Sequence, residues 1–167
     1  IDDAGSAIYS FKCDLNVLSC QFTNGKSLFG GAICCLSTDS IIQNSTFTNN
    51  FATFFGGSIY CSYGLVNITK NNFKGSRAGS SGGSIYGSLT TMLTLLNNDF
   101  TNSSAPIGNA ISIDPAIQSK IADSGNRYEG TTFDLMNSNG ICFYNTNPHY
   151  EFDNDYSVPL FSYTPDS

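Results

Sequence analysis

A five-residue signature returns at a fixed interval along this chain, and that interval limits the fold more than any other feature. Gly30-Gly31-Ala32-Ile33-Cys34, Gly56-Gly57-Ser58-Ile59-Tyr60, Gly82-Gly83-Ser84-Ile85-Tyr86 and Gly108-Asn109-Ala110-Ile111-Ser112 follow one another at 26-residue spacing. Gly5-Ser6-Ala7-Ile8-Tyr9 opens the series one residue out of step, and a degraded Gly140-Ile141-Cys142 closes it. A second marker runs in parallel: Phe22, Phe47, Phe73, Phe100, Tyr128 and Phe152, with gaps of 25, 26, 27, 28 and 24 residues. An Asn often follows the aromatic by two, as in Phe22/Asn24, Phe47/Asn49, Phe100/Asn102 and Phe152/Asn154. Repeats of this length signal supersecondary units that bury their apolar faces by stacking.

The units read as strands. No apolar stripe at helical spacing lasts beyond a turn or two, and the short apolar runs are β-branched or aromatic, bounded by Gly, Ser, Asn and Asp. The expected fold is all-β, a parallel β-helix (β-solenoid) of about six coils, each with three short strands and three bends. Alternation places Ile33, Ile59, Ile85 and Ile111, with Ile8 and Ile141, in one inward ladder. Tyr9, Tyr60 and Tyr86 then form a partly exposed outer row. The second strand holds Leu15/Val17, Ile41/Ile42, Val66/Ile68, Leu93/Leu95 and Ile117/Ile121. The third holds the ladder of Phe22, Phe47, Phe73 and Phe100. The Gly pairs fit corners that need positive φ or leave no room for a Cβ. Asn at the bends tolerates left-handed turns and can hydrogen-bond along a stack. Gly25–Leu28, Ser76–Ser81 and Ser103–Ile107 read as loops. The fifth coil is the loosest. Residues 1–155 form the repeat domain, and the apolar, Pro-rich residues 156–167 form a cap or an exchanged arm.

Gly-Gly-Ala-Ile and Phe-x-x-Asn motifs in tandem resemble the repeats of chlamydial polymorphic outer membrane proteins. Gly30-Gly31-Ala32-Ile33 and Phe47-Thr48-Asn49-Asn50 match strictly; Ser replaces Ala at Ser58 and Ser84, and elsewhere the Asn sits one residue closer. The resemblance covers about residues 4–112 well. It implies a right-handed parallel β-helix of the pectin-lyase shape and a surface or adhesive role.

Only 12% of residues are charged, and the net charge of −6 without a Lys/Arg cluster argues against a nucleic-acid partner. No run approaches the roughly 18 apolar residues of a membrane helix. Cys35 and Cys61 occupy the same repeat position on adjacent coils, so a disulfide is expected there, with two buried free thiols as the alternative. Cys13 and Cys20 form a second candidate pair. Cys34 and Cys142 stand four coils apart and are open to intermolecular bonding. One His and no Cys-x-x-Cys give no zinc signature. Asn44, Asn67 and Asn102 head N-glycosylation sequons, about as many as composition alone supplies.

Polysaccharide-cleaving β-helices need convergent carboxylates and a basic group on one outer face. Here those faces carry Ser, Thr, Asn and Tyr, and His149 reads as a surface-loop residue. Glu151, Asp153 and Asp155 alternate on one strand face, a weak Ca²⁺ candidate that reads more simply as a solvated acidic face. The sequence thus predicts no catalytic residue, cofactor or metal. The chain opens at Ile1 already in repeat phase, as a processed or excised piece does. An uncapped end must meet more coils, a cap or another molecule. The expected function is an extracellular or cell-surface structural or adhesive solenoid, a head-to-tail filament subunit that carries glycans at its sequons. The alternative is a carbohydrate-binding or carbohydrate-cleaving β-helix.

Overall fold

A computed structural model describes residues 3–88, 92–114, 120–129, 141–143 and 151–153. Each turn of the chain lays down one strand per sheet. The first turn contributes β1 (Ile8–Phe11), β2 (Leu15–Leu18), β3 (Gln21–Thr23) and β4 (Lys26–Phe29). The second contributes β5 (Ile33–Leu36), β6 (Ser40–Gln43), β7 (Thr46–Thr48) and β8 (Phe51–Phe55), and the third β9 (Ile59–Ser62), β10 (Leu65–Thr69), β11 (Asn72–Lys74) and β12 (Arg77–Ala78). Then come β13 (Ile85–Ser88), β14 (Met92–Leu96) and β15 (Asp99–Thr101), followed by β16 (Ile111–Asp114), β17 (Lys120–Ser124) and β18 (Arg127–Glu129). Short strands β19 (Ile141–Phe143) and β20 (Glu151–Asp153) finish the series.

Among the described residues all pairings are parallel, and the strands stack into a β-solenoid with sheets of 6, 6, 5 and 3 strands. Among the described residues the solenoid has about four turns, against the six predicted, although the first two sheets continue to six strands. It also has four sheets rather than three. The stretches read as loops at Gly25–Leu28 and Ser76–Ser81 include β4 and β12, and Ser104 and Ile107 form bridges onto the same sheet. Their small polar residues hid the alternation: Ser27, Ala52 and Ala78 share one register and contribute little to an apolar pattern.

The predicted Ile ladder holds. Ile8, Ile33, Ile59, Ile85, Ile111 and Ile141 are successive register partners in the first sheet, and Ile33, Ile59, Ile85 and Ile111 are fully buried. The aromatic ladder also holds from Phe22 to Tyr128, with ring centroids 4.8–5.1 Å apart and interplanar angles of 5–11°. The separation is the strand spacing itself, so the sheet dictates near-parallel stacking. Phe152 departs from this ladder: it pairs with Ile121 in the second sheet. In that sheet Ile42 faces inward with Val17, Ile68 and Leu95, whereas Ile41 points outward, 43% exposed. The fifth repeat does have a second strand, β17, which contains Ile121; Ile117 and the tail 156–167 lie outside the described residues.

Four left-handed corners bend each of the first three turns, at matching places, and three of these corners recur later among the described residues. Lys12, Ser37 and Tyr63 stand at the first (φ 51–56°), and Ser19, Asn44, Lys70, Asn97 and Gly125 at the second. Asn24, Asn49, Gly75 and Asn102 form the third, and Gly5, Gly30, Gly56, Gly82 and Gly108 the fourth. Neither glycine of the signature leaves room for a Cβ. The first also adopts positive φ and lies against the carbonyl oxygen of the Ile three residues on, as Gly82 does against Ile85; the second lies against the carbonyl oxygen of the next turn, as Gly57 does against Gly83.

Candidate functional site

The outer face of the second sheet carries the first candidate surface. Asn16, Ile41, Asn67 and Thr94 are register partners that point outward, one per turn. Asp14 and Asp39 at the preceding corner, with Leu65 and Met92, complete an open groove of about 510 Å³. The Asp39 carboxylate accepts a hydrogen bond from the Leu65 N–H at 2.8 Å, which fixes its position on the rim. Amides and a hydroxyl beside exposed Ile41 and Leu65 can meet a ligand with both polar and apolar surface, as a sugar ring has.

All three sequon asparagines are exposed. Asn44 and Asn102 sit at left-handed corners, and Asn67 lines the groove, accepting a hydrogen bond from the Thr69 hydroxyl. A glycan on Asn67 and a ligand in the groove therefore exclude each other.

The expected outer tyrosine row differs from its prediction. Tyr9 is 45% exposed, Tyr60 half-buried and Tyr86 6% exposed. The fourth sheet folds aromatic side chains over the row: Phe55 stacks on Tyr86 at 4.6 Å and Phe29 meets Tyr60 edge-on at 5.4 Å. Cys34 interrupts the row between Tyr9 and Tyr60.

None of the five cysteines whose side chains are described is bridged; the Cys142 side chain lies outside the described residues. Cys35 and Cys61 are register partners on the inward face, as expected, yet both thiols are free. In-register parallel strands hold their Cβ atoms about 4.8 Å apart, wider than the roughly 3.5–4.5 Å of a disulfide. Cys13 and Cys20 are free and exposed. They flank β2, whose four residues span about 13 Å, too far for a bond. Cys34 is free and buried, which withdraws its thiol from the intermolecular bonding expected of it. Burial pushes Cys35 up to about 11 and Cys34 up to about 12, and raises Cys61 well above its ordinary value, so all three are neutral thiols and poor nucleophiles at neutral pH.

Among the described residues no group of three or more His, Cys, Asp and Glu could hold a metal ion. Glu151 and Asp153 lie on β20, in register with Lys120 and Ala122; Asp155 and His149 lie outside the described residues.

A hydrogen-bonded asparagine ladder does exist, on residues other than those predicted. Asn71, Asn98 and Asn126 stand between the second and third sheets, one turn apart, each accepting from the backbone N–H of the turn before. The signal that could have found them was the pair Asn97-Asn98 and the run Lys70-Asn71-Asn72: the first residue takes the corner and the second points in.

No family model, curated protein or solved structure matches the chain.

Proposed function

We propose that this chain is an extracellular or cell-surface structural and adhesive β-solenoid that extends end to end. The observation that carries this reading is the in-register stacking of the turns, which a further rung can continue. β1, β2 and β3 are edge strands of the described residues, while Asp3, Ala4 and Gly5 already meet β4. Ile8, Leu15 and Phe22 are half-buried there, whereas Ile33 and Phe47, which continue the same ladders, are fully buried. A further rung would cover these side chains and satisfy the open backbone groups. That rung belongs either to more coils of the same chain or to a second molecule, and contacts of this head-to-tail kind propagate as a filament. The surface location draws on the resemblance to outer-membrane-protein repeats and on the exposed sequons.

Electron microscopy of the native, unreduced protein tests the reading. Filaments whose axial repeat is a multiple of the about 4.8 Å rung spacing support it. Discrete particles at every concentration overturn end-to-end assembly of separate molecules.

A second reading is favoured by the groove on the second sheet, which suits carbohydrate binding. A panel of neutral and acidic glycans separates the two. Binding that is lost in Asn67→Gln and Ile41→Ser variants places the ligand in the groove; no binding or cleavage across the panel leaves the structural reading alone.

A further inference from the structure

A second outer face has the opposite electrostatic character to the rest of the molecule. Residues 21–31, 46–57 and 72–83 build the third and fourth sheets of the first three turns. They contain Lys26, Lys74 and Arg77 and no Asp or Glu, in a chain with 13 acidic and 7 basic residues. Asp3 meets β4 through its backbone carbonyl at Leu28, away from the groove described next.

Lys26, Phe51 and Arg77 are successive register partners on β4, β8 and β12. Ser27, Ala52 and Ala78 share the next register, and Ala52 and Ala78 are buried, so the Lys-Phe-Arg column faces out. The Arg77 guanidinium lies 5.9 Å from the centroid of the Phe51 ring. Asn49, Asn50 and Gly75 join the column to line a groove of about 410 Å³. Neither Lys26 nor Arg77 has an ion-pair partner among the described residues. Their Cα atoms stand two rungs apart, about 9.6 Å, close to the length of a disaccharide unit.

We propose that this column binds an anionic polysaccharide. One sugar ring packs against the edge of Phe51, whose face the Arg77 guanidinium covers, and the carboxylate or sulfate groups to either side pair with Lys26 and Arg77. The Asn49 side chain, at its left-handed corner, is placed to hydrogen-bond ring hydroxyls. Arg77 suits planar, two-oxygen recognition and Lys26 a point charge. The net charge of −6 repels any polyanion at long range, so the attraction rests on the local pair Lys26 and Arg77, whose spacing matches a disaccharide unit. Lys26 belongs to the first turn, but the column points sideways from the solenoid and its test reads glycan binding, so it stands or falls separately from end-to-end assembly.

Titration calorimetry with dextran sulfate, polygalacturonate and neutral dextran tests this. Binding of one or both anionic polymers is expected, weakening as salt rises, with none for dextran; the preferred polymer tells sulfate from uronate recognition. The Lys26→Gln/Arg77→Gln variant should bind about tenfold more weakly or less, whereas Lys12→Gln/Lys70→Gln, which removes equal charge from other corners, should bind within about twofold of the parent. All four side chains are exposed, and circular dichroism checks that both variants keep the β-rich fold. Absence of binding to both anionic polymers, equal binding of dextran, or an equal loss in the two variants overturns the proposal.

Discussion

The side chain of Asn98 serves the neighbouring turn twice: its Oδ1 accepts from the backbone N–H of Asn71 at 2.9 Å, and its amide donates to the carbonyl of Ile68 at 2.8 Å. Asn71 does the same for Ser45 and Ile42, and Asn126 for Asn98 and Leu95. Asn98 is fully buried, so these backbone groups have no water to turn to. Asn98→Leu keeps the volume and strands one donor and one acceptor. The expected loss is about 3 kcal/mol, read as a lower denaturant midpoint. A midpoint within error of the parent would mean that the ladder is dispensable.

The glycine pair gives a paired test. Gly82 has φ +68° and Gly57 an ordinary φ, but a Cβ on Gly57 meets the Gly83 carbonyl oxygen and the Arg77 backbone. Gly82→Asn brings a residue type that tolerates left-handed corners, as at Asn24, Asn49 and Asn102, but its Cβ would meet the Ile85 carbonyl oxygen. Gly57→Ala forces two backbones apart, and each substitution is expected to cost about 3 kcal/mol or prevent folding. Thermal melts of the two variants check this; a melting temperature equal to the parent's in either one contradicts the close backbone approach at that position.

The fold was legible wherever a large side chain marked the register. Ile33, Ile59 and Ile85 at constant spacing can be aligned by eye, and so can Phe22, Phe47 and Phe73. The fourth sheet escaped notice because its inward column is Ser27, Ala52 and Ala78, whose side chains are too small to show an apolar period. The disulfide expectation failed for a related reason: repeat position gives adjacency, but not whether the two Cβ atoms approach within bonding reach. Neither candidate surface was visible, because Asn16, Ile41 and Asn67, or Lys26, Phe51 and Arg77, do not repeat one residue type from turn to turn and become a column only after stacking.

The two inward ladders set the cost of interior change. Ile59→Asp and Ile85→Asp each place a charge where exposure is 0%, with apolar side chains above and below. Neither variant is expected to fold. Phe73→Leu is milder: it removes a ring stacked between Phe47 at 4.8 Å and Phe100 at 4.9 Å and leaves a small void, for about 2 kcal/mol. Circular dichroism and urea titration distinguish the cases, and an unchanged fold in Ile85→Asp would disprove the ladder.

The buried thiols predict how stability changes in alkali. Below pH 9.0, the ordinary value, Cys35 is protonated in both the folded and unfolded chain and adds no pH dependence. Above it the unfolded thiol ionises, while burial holds the folded thiol neutral up to about pH 11. The unfolded state then binds fewer protons, so stability falls as pH rises through this window, by about 1.4 kcal/mol per pH unit for each such thiol. Cys61, fully buried and shifted in the same direction, adds to the fall. Denaturant midpoints of the reduced protein between pH 8 and 11 should therefore drop, and the drop should be shallower in Cys35→Ala. An identical drop in that variant would assign the alkaline loss to other groups. At pH 8 a thiol-alkylating reagent followed by peptide mapping should label Cys13 and Cys20 and spare Cys34, Cys35 and Cys61 until the chain is unfolded.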